Sequence, residues 1–433
     1  MTPGRTRGQL TAILLAVTLT LPGLGLRISG AHPTPWVSAM AFGLAVVGSA
    51  FLLAWAAEAL QLDVSQGLAL AVLALIAVLP EYAVDFVFTA KAGKDPTQYA
   101  PLALANMTGG NRLLIGIGWS LVVLLAAWRM RRIARVDGYD GPLDDEVKLG
   151  RAHSIEIAFL AVATLYSLTL PLKRTINLFD AVVLVSLFIA YMVRVSRAPA
   201  DEPDLVGPAQ LIGSLPRARR RVVVGLLLAF AAGVILACAA GFAESLVETG
   251  AQFGVSKFLL VQWLAPLASE APELLIAGLF AWRLNTQAGL GALVSSKVNQ
   301  WTLLVGTLPI VFAVSSHSWH GLPLDALQRE ELFLTAAQSA FAVAVLANRS
   351  ISVREAVALL TLFFSQFVLG AALPEGMREV ERIAIGIVYL VLATVTLVRQ
   401  RRALPGLIRD GFRTPAAELV HADPDTAVLE PRP

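Results

Sequence analysis

The stretch Ala265-Pro-Leu-Ala-Ser-Glu-Ala-Pro-Glu273 places two prolines and two carboxylates inside a long apolar segment. A shorter version of it, Ala77-Val-Leu-Pro-Glu81, occurs about half a chain earlier. A charged side chain is costly inside an apolar segment, and a proline removes a helix hydrogen bond. Because this costly Pro-Glu pair occurs twice, we expect it to serve a function.

The composition of the chain is that of a membrane protein. Of its 433 residues, 56% are hydrophobic and only 15% are charged. Apolar runs of at least ~18 residues, long enough to cross a bilayer as a helix, recur along the whole length. The formal net charge of +3 belongs to the loops and gives no indication of nucleic-acid binding. The single cysteine, Cys238, excludes an intrachain disulfide and a cysteine-based metal site.

The hydropathy of the chain predicts about twelve membrane-spanning helices. In chain order we expect an extra helix in 1–35, a first repeat of five spans in 36–195, a cytoplasmic linker in 196–221, a second repeat of five spans in 222–372, an extra helix in 373–410 and a disordered tail in 411–433.

The ends of these spans follow from the limits of the apolar runs and are predicted to within a few residues. The spans are roughly 10–28, 36–60, 65–90, 101–128, 154–171, 175–195, 222–249, 256–282, 288–315, 331–348, 352–372 and 381–398.

The distribution of basic residues predicts the orientation of the spans. If the spans alternate, one side of the membrane receives both arginine-rich connectors, 129–153 and 196–221, together with the two chain ends. The other side receives only scattered lysines and arginines. Cytoplasmic loops carry the excess of Lys and Arg, so both termini are predicted to be cytoplasmic. We expect a bacterial inner membrane, since the chain has no eukaryotic sorting motif.

The two Pro-Glu copies belong to a longer repeat. In each copy a segment of small and polar residues opens the next span, Asn106-Met-Thr-Gly-Gly-Asn111 in the first and Ser295-Ser-Lys-Val-Asn-Gln300 in the second. The first copy lies on a span predicted to run outward and the second on one predicted to run inward. Inverted repeats with helices interrupted at the membrane midplane are typical of secondary transporters. The sequence therefore predicts an all-α polytopic membrane protein with two inverted-topology repeats and broken helices at the midplane.

The residues of the repeat carry a family resemblance. Gly254–Glu273 resembles the second alpha-repeat of the sodium/calcium exchanger superfamily, the cation/calcium antiporters, whose pattern is roughly G-V-S, an apolar stretch, T-S-x-P-E and then G-N-x-x-G-S-N. Asn106–Asn111 resembles the last of these elements in the first repeat. The resemblance covers roughly 58–118 and 244–306. It implies a secondary active antiporter that exchanges calcium or a monovalent metal ion for sodium or protons by alternating access.

The chain departs from the family pattern immediately before each Pro-Glu pair. Where the family has Thr-Ser, the first copy has Ala77-Val78 and the second has Ser269-Glu270. The first copy has therefore lost hydroxyl ligands, whereas the second has gained a carboxylate. This inequality leaves open which ions are exchanged and in what ratio.

A cation that crosses a bilayer must exchange its water shell for fixed oxygens, and calcium takes about 6–8 of them. Glu81 and Asp85 lie four residues apart and share a helix face, as do Glu270 and Glu273, three apart. The same carboxylates can carry protons, so proton and metal compete for one site. The predicted ligands are completed by the neutral oxygens of Ser269, Asn106, Asn111, Ser295, Ser296 and Asn299.

Two basic residues adjoin the polar segments and are predicted to compensate charge. Lys297 lies inside the second segment and Arg112 directly follows the first. If either points inward, it offsets part of the acidic charge, which favours fewer ions per cycle or coupling to protons. Alternatively they pair with Asp85 or Glu270 as structural salt bridges, or Lys297 reaches the membrane surface.

The register of the second polar segment stays open. Matching Ser295-Ser296 to Gly109-Gly110 places Lys297 opposite Asn111. Matching through the later glycines places Asn299 there instead.

Other functions compete with this prediction. A sodium/proton or potassium/proton exchanger could use the same fold, and a non-transporting scaffold is a further alternative. We do not expect an enzyme, because no nucleophile with its base and no mid-span histidine is found in the apolar segments. No resident cofactor is expected beyond transported Ca2+, Na+ or H+. The predicted partners are the lipid bilayer and inorganic cations, with no nucleic acid and the oligomeric state open.

Overall fold

The structure is a computed structural model that describes residues 3–63, 79–136, 146–197, 205–254 and 256–421. Helices dominate it. This follows from the composition, because a backbone surrounded by lipid must satisfy its own hydrogen bonds within each segment.

Seventeen helices follow one another along these residues. They are α1 (Pro3–Ser29), α2 (Pro35–Leu60), α3 (Leu79–Ala92), α4 (Pro96–Leu113), α5 (Ser120–Val136), α6 (Ser154–Ser167), α7 (Leu178–Val195), α8 (Pro208–Gly213), α9 (Arg217–Phe253), α10 (Lys257–Trp282), α11 (Thr286–Asn299), α12 (Val305–Ser316), α13 (Ala326–Val345), α14 (Val353–Ala372), α15 (Glu375–Arg399), α16 (Leu404–Phe412) and α17 (Ala416–His421).

The predicted spans agree with these helices in order and position. Ten helical segments of the described residues are long and apolar enough to cross a membrane. Together with α3 and α14 they correspond to the twelve predicted spans, although several helices extend further at their ends. Span 65–90 is matched only by α3, because residues 64–78, which include Ala77 and Val78, lie outside the described part of the chain.

In the described part of the chain, four short strands connect loops at the two ends of the molecule. β1 (Glu146–Lys148) pairs antiparallel with β4 (Ser350–Ser352), and β2 (Thr175–Ile176) pairs antiparallel with β3 (Leu322–Pro323). The first pair joins two loops predicted on the arginine-rich side, and the second joins two loops predicted on the opposite side. Both pairings join loops that the predicted alternation of the spans places on the same side.

The helices that carry the polar segments begin in the same way in both repeats. The Asp95 side chain accepts a hydrogen bond from the backbone N–H of Gln98 at 3.1 Å, which caps α4. The Asn285 side chain accepts from the backbone N–H of Ala288 at 3.3 Å, which caps α11. Such caps satisfy N–H groups that have no partner inside the helix, so they fix where each helix starts.

Both polar segments lead directly into a π-helical turn. Leu114–Trp119 follows α4, and Gln300–Leu304 follows α11. π turns inside α-helices are frequently found at functional sites. By contrast, α10 runs unbroken through Pro266 and Pro272. The predicted break of the helix at the second Pro-Glu pair is therefore wrong, and the departure from α geometry lies in the π turns that follow.

The predicted linker is partly ordered against the first repeat. α8 lies inside it, and its Ala209 and Ile212 are buried in a cluster with residues of α2. Next to it, Asp63 accepts hydrogen bonds from Arg220 Nε at 2.6 Å and Arg221 Nε at 3.2 Å. The hydrogen bond from Arg220 holds the pKa of Asp63 below its usual value.

The predicted disorder of 411–433 is wrong for residues 411–421. These residues include the end of α16 and all of α17, whose Ala416 and Leu419 are buried in the main core. The apolar side chains of this otherwise polar tail thus pack against the main hydrophobic core. Residues 422–433 lie outside the described residues.

Candidate cation site

Four acids lie on two helices, α3 and α10, in the interior of the molecule. Glu81 and Asp85 on α3 are buried, as is Glu270 on α10, while Glu273 is partly buried. Glu270 interacts electrostatically with both Glu273 and Glu81. The two halves of the predicted site therefore meet across the inverted repeats.

In the first repeat, α4 approaches the acids of α3 closely. Asn106 Nδ2 donates a hydrogen bond to Asp85 Oδ1 at 2.8 Å. A Cβ atom at Gly110 would lie 2.7 Å from Glu81 Oε1. This separation is shorter than real Cβ atoms tolerate, so a side chain at this position would displace the Glu81 carboxylate. The small residues of the segment bring the helix backbone against the carboxylate.

In the second repeat, α11 supplies hydrogen bonds to the acids of α10. Ser296 Oγ donates to Glu273 Oε2 at 2.7 Å. Gln300 Nε2 donates to Glu270 Oε1. Gln300 is missing from the predicted ligands, although it closes the quoted polar segment. Its position at the start of the π turn is what directs it toward the acid, and sequence spacing gives no sign of that turn.

Lys297 points into the site. Its Nζ donates to the side-chain oxygen of Asn111 at 2.6 Å and to the backbone carbonyl of Asn111 at 3.2 Å. The Nζ also lies 4.4 Å from the ring centre of Trp301, and Glu81 and Glu270 are its acidic neighbours. The amine is thus surrounded by acceptor oxygens, an aromatic ring and two acids. The structure thus rules out the alternative in which Lys297 reaches the membrane surface.

The same contact resolves the open register. Lys297 lies opposite Asn111, as expected when Ser295-Ser296 is matched to Gly109-Gly110. The π turns then begin at matching positions. Gly110 against Glu81 corresponds to Ser296 against Glu273. Equivalent positions of the two repeats therefore contact each other at the centre of the molecule.

Several side-chain oxygens in this region, most of them carboxylate oxygens, accept no hydrogen bond from an N–H or hydroxyl group of the described residues. Such buried orphans are rare in proteins, and each is costly unless a water or ion supplies the missing contact. These atoms are both carboxylate oxygens of Glu81, Asp85 Oδ2, Glu270 Oε2 and the side-chain amide oxygens of Asn106 and Gln300. They point to a cation with several oxygen ligands.

The carboxylates do not form a conventional metal centre by themselves. Among the described residues, no group of three or more His, Cys, Asp or Glu side chains is arranged to hold a metal ion. A bound cation would need neutral oxygens as well, and the amide oxygens of Asn106 and Gln300 remain available among the described residues.

Other predicted ligands are engaged elsewhere in this conformation. Ser269 Oγ donates to backbone carbonyls one turn earlier on α10, at 3.2 and 3.3 Å. Ser295 Oγ lies 2.8 Å from the hydroxyl of Tyr191. The side-chain oxygen of Asn299 accepts from Tyr82 at 3.4 Å. These residues therefore lie around the site, but in this conformation their side-chain oxygens are engaged in other hydrogen bonds.

Arg112 does not face the four acids. Its Nη1 lies 2.8 Å from Glu331 Oε2, and its guanidinium lies 5.2 Å from the ring centre of Trp263. Gln262 Nε2 donates to the same Glu331 oxygen at 2.9 Å. The prediction that Arg112 compensates the charge of the site is corrected: it neutralises Glu331. That acid was missed because it stands at the predicted start of a span, where acids are usually solvated.

The comparisons with known proteins agree with this geometry. Residues 34–197 and 223–370, more than half of the chain, match the family described as sodium/calcium exchanger protein. The chain belongs to the sodium/calcium exchanger protein family. It is similar to the solved structure of the H+/Ca2+ exchanger CAX, with 42% identity and a TM-score of 0.85, over 95% of this chain and 98% of that one.

A second solved structure agrees in fold alone. The selenium-substituted Ca2+/H+ antiporter protein YfkE shares 14% identity, with a TM-score of 0.57, over 87% of this chain and 99% of that one. No curated protein matches the chain. Membership of the exchanger family confirms the predicted fold class and the predicted general function, that of a secondary cation antiporter with several membrane spans.

Proposed function

We propose that this sodium/calcium exchanger family protein exchanges calcium for protons by alternating access at a single site formed by Glu81, Asp85, Glu270 and Glu273. The observation that carries the proposal is the set of unpartnered carboxylate oxygens on α3 and α10. Calcium prefers carboxylate and carbonyl oxygens, which is the chemistry of this site. The similarity to a protein described as an H+/Ca2+ exchanger supports the choice of ions.

Protons and calcium compete for the same carboxylates. Protonation turns a carboxylate into a neutral group that donates a hydrogen bond, whereas calcium binding requires the ionised form. Glu81 and Glu270 are acidic neighbours that interact with each other, so together they can hold a cation or exchange it for protons. Loading from one side and release on the other then couples the two fluxes.

Lys297 favours proton coupling over exchange for several sodium ions. In its protonated form, Lys297 offsets part of the negative charge that Glu81 and Glu270 carry when they are ionised. Fewer transported cations are therefore needed to neutralise the site in each cycle. No resident cofactor and no enzymatic reaction enter this proposal.

The proposed setting is the inner membrane with both termini in the cytoplasm. The arginine-rich end, where Arg151 and Arg349 lie beside Asp410, would face the cytoplasm.

A sodium/proton or potassium/proton exchanger is the second candidate. The same reduction of negative charge by Lys297 suits a monovalent ion. Purified protein in liposomes, assayed with calcium-45, sodium-22 and a pH-sensitive dye, separates the two. We expect calcium-45 uptake driven by a pH gradient, with proton movement when calcium is added. Proton movement in response to sodium or potassium, without calcium-45 uptake, would instead favour the second candidate.

A further inference from the structure

A basic pocket of about 280 Å³ lies at the end of the molecule that carries β1 and β4. It lies between the turn before α6, the turn after α13 and the amphipathic helix α16. Its charged lining consists of four arginines and one aspartate: Arg151, Arg349, Arg402, Arg409 and Asp410. The pocket therefore carries an excess of positive charge, far from the four acids of the cation site.

The aspartate orders part of this lining. Asp410 is buried, and it accepts hydrogen bonds from Arg151 Nε at 3.1 Å and Nη2 at 3.0 Å. Arg349 Nη1 lies 3.5 Å from the same carboxylate. Burial alone would raise the pKa of Asp410, but hydrogen bonds from Thr414 and Arg151 hold it below its usual value. Asp410 is therefore ionised at neutral pH, and it fixes the guanidinium groups without neutralising all of them.

Two arginines stand at the rim. Arg402 is exposed, and the Arg409 side chain is 66% exposed although its Nε lies 3.4 Å from Asp410 Oδ1. A guanidinium presents five N–H donors in a planar fork that matches the oxygens of a phosphate group. Four such groups around one pocket are suited to a phosphate-bearing anion.

The position of α16 indicates where that anion comes from. The helix follows α15, a predicted span that ends at Arg399. Leu407 of α16 is buried, whereas Ile408 and Phe412 on the same helix are 57% and 42% exposed. Exposed apolar residues next to basic ones are typical of a helix that lies in the interfacial region of a membrane. The pocket thus opens beside a surface that suits acyl chains.

We propose that this pocket binds the phosphate of an anionic phospholipid headgroup, with the acyl chains lying beside Ile408 and Phe412. A free phosphate offers the same charge but nothing that contacts the two exposed apolar residues. The bound lipid would join α6, the turn after α13 and α16, so it would stabilise the folded protein.

Thermal unfolding of the full-length protein in a neutral detergent tests the proposal. We expect dioleoyl phosphatidylglycerol to raise the melting temperature by a few degrees, and dioleoyl phosphatidylcholine to leave it unchanged. The double variant Arg402→Gln/Arg409→Gln should lose most of this rise. Arg401→Gln, an exposed arginine outside the pocket lining, is the matched control and should keep it.

Two outcomes would overturn the proposal. One is a double variant that retains the full rise with phosphatidylglycerol. The other is an equal rise with millimolar inorganic phosphate, which would identify a site for free phosphate instead of lipid. Both substituted arginines are at the rim and exposed, so the double variant is expected to fold, and its melting temperature without lipid verifies this.

Discussion

At the scale of single residues, the unusual feature of this site is a buried base, Lys297. It is a fully buried lysine among acids, held by Asn111 and by the face of Trp301. A buried charge is tolerated when it is paired, and removal of one partner leaves the other uncompensated. The acids Glu81 and Glu270 therefore depend on Lys297 whenever neither calcium nor protons occupy the site.

The substitution Lys297→Gln should destabilise the cation-free protein by about 3–5 kcal/mol, because Glu81 and Glu270 lose their compensating charge. Calcium should restore more of the melting temperature in this variant than in the wild type. Thermal unfolding with and without calcium measures both effects. Lys257→Gln, at the exposed start of α10, is the control. A cation-free melting temperature equal to that of the wild type would contradict the role given to Lys297.

The buried pair of Arg112 and Glu331 is a second prediction at this scale. Glu331→Leu alone should cost about 3–5 kcal/mol, since it leaves the guanidinium buried without a carboxylate. Arg112→Met alone should cost a similar amount for the converse reason. The double variant should cost clearly less than the two single costs together, and chemical unfolding of all four proteins measures this coupling. Additive costs would show that the two groups do not act as a pair.

At the scale of elements, each half of the site is a helix of acids packed against a helix of small and polar residues. Gly110 brings α4 against Glu81, and Gly109 brings it against the backbone of Gln262 on α10. Both helices then enter a π turn, which directs Gln300 at Glu270 in the second half. The close approach of backbone to carboxylate is what positions the oxygens.

The substitution Gly110→Ala should reduce transport strongly. The added Cβ would stand 2.7 Å from Glu81 Oε1, so either the carboxylate or α4 has to move. Gly225→Ala on α9 is the matched control, because nothing lies within 4 Å of a Cβ there. Calcium uptake by liposomes that contain equal amounts of folded protein measures the difference. Equal loss in both variants, or no loss in either, would contradict the close approach.

The spans were predictable from sequence because hydropathy and charge act locally. Their order, their alternation and the burial of the acids could be read from apolar runs and Pro-Glu pairs. The direction of Lys297 and the partner of Arg112 could not, since those contacts join residues 186 or more positions apart. The π turns were also missed. They follow from packing around the polar segments, and no residue pattern in the sequence predicts them. By contrast, Asp95 and Asn285 each cap a helix, which agrees with the preference of Asp and Asn for the N-cap position.

At the scale of the whole molecule, salt bridges connect helices of the two repeats near both ends of the molecule. Asp63 joins the end of α2 to Arg220 and Arg221 at the start of α9. At the opposite end, Lys91 pairs with Glu244 at 2.5 Å. The two groups of salt bridges lie on the two sides that the alternating topology predicts for them, so helices of the two repeats are linked on both sides.

Asp63→Asn should lower the free energy of unfolding by about 1 kcal/mol near neutral pH, as expected for loss of a charged hydrogen bond. The folded pKa of Asp63 lies below the unfolded one, so its contribution is full above about pH 4 and is lost as the pH falls through the folded value. Unfolding measured across pH should therefore show a constant difference from pH 6 to 8 that shrinks in acid. Glu418→Gln, an exposed acid of α17, should show none. A difference that grows in acid would contradict this account.

The most direct test of the central claim is calcium-45 uptake driven by a pH gradient in liposomes that contain purified Glu81→Gln or Glu273→Gln protein. Each carboxylate belongs to one half of the site, so each substitution should reduce uptake to the level of protein-free liposomes while the protein remains folded. Glu379→Gln, an exposed acid of α15, should transport like the wild type. Uptake at the wild-type rate in both site variants would contradict the claim that the two Pro-Glu motifs form one exchange site.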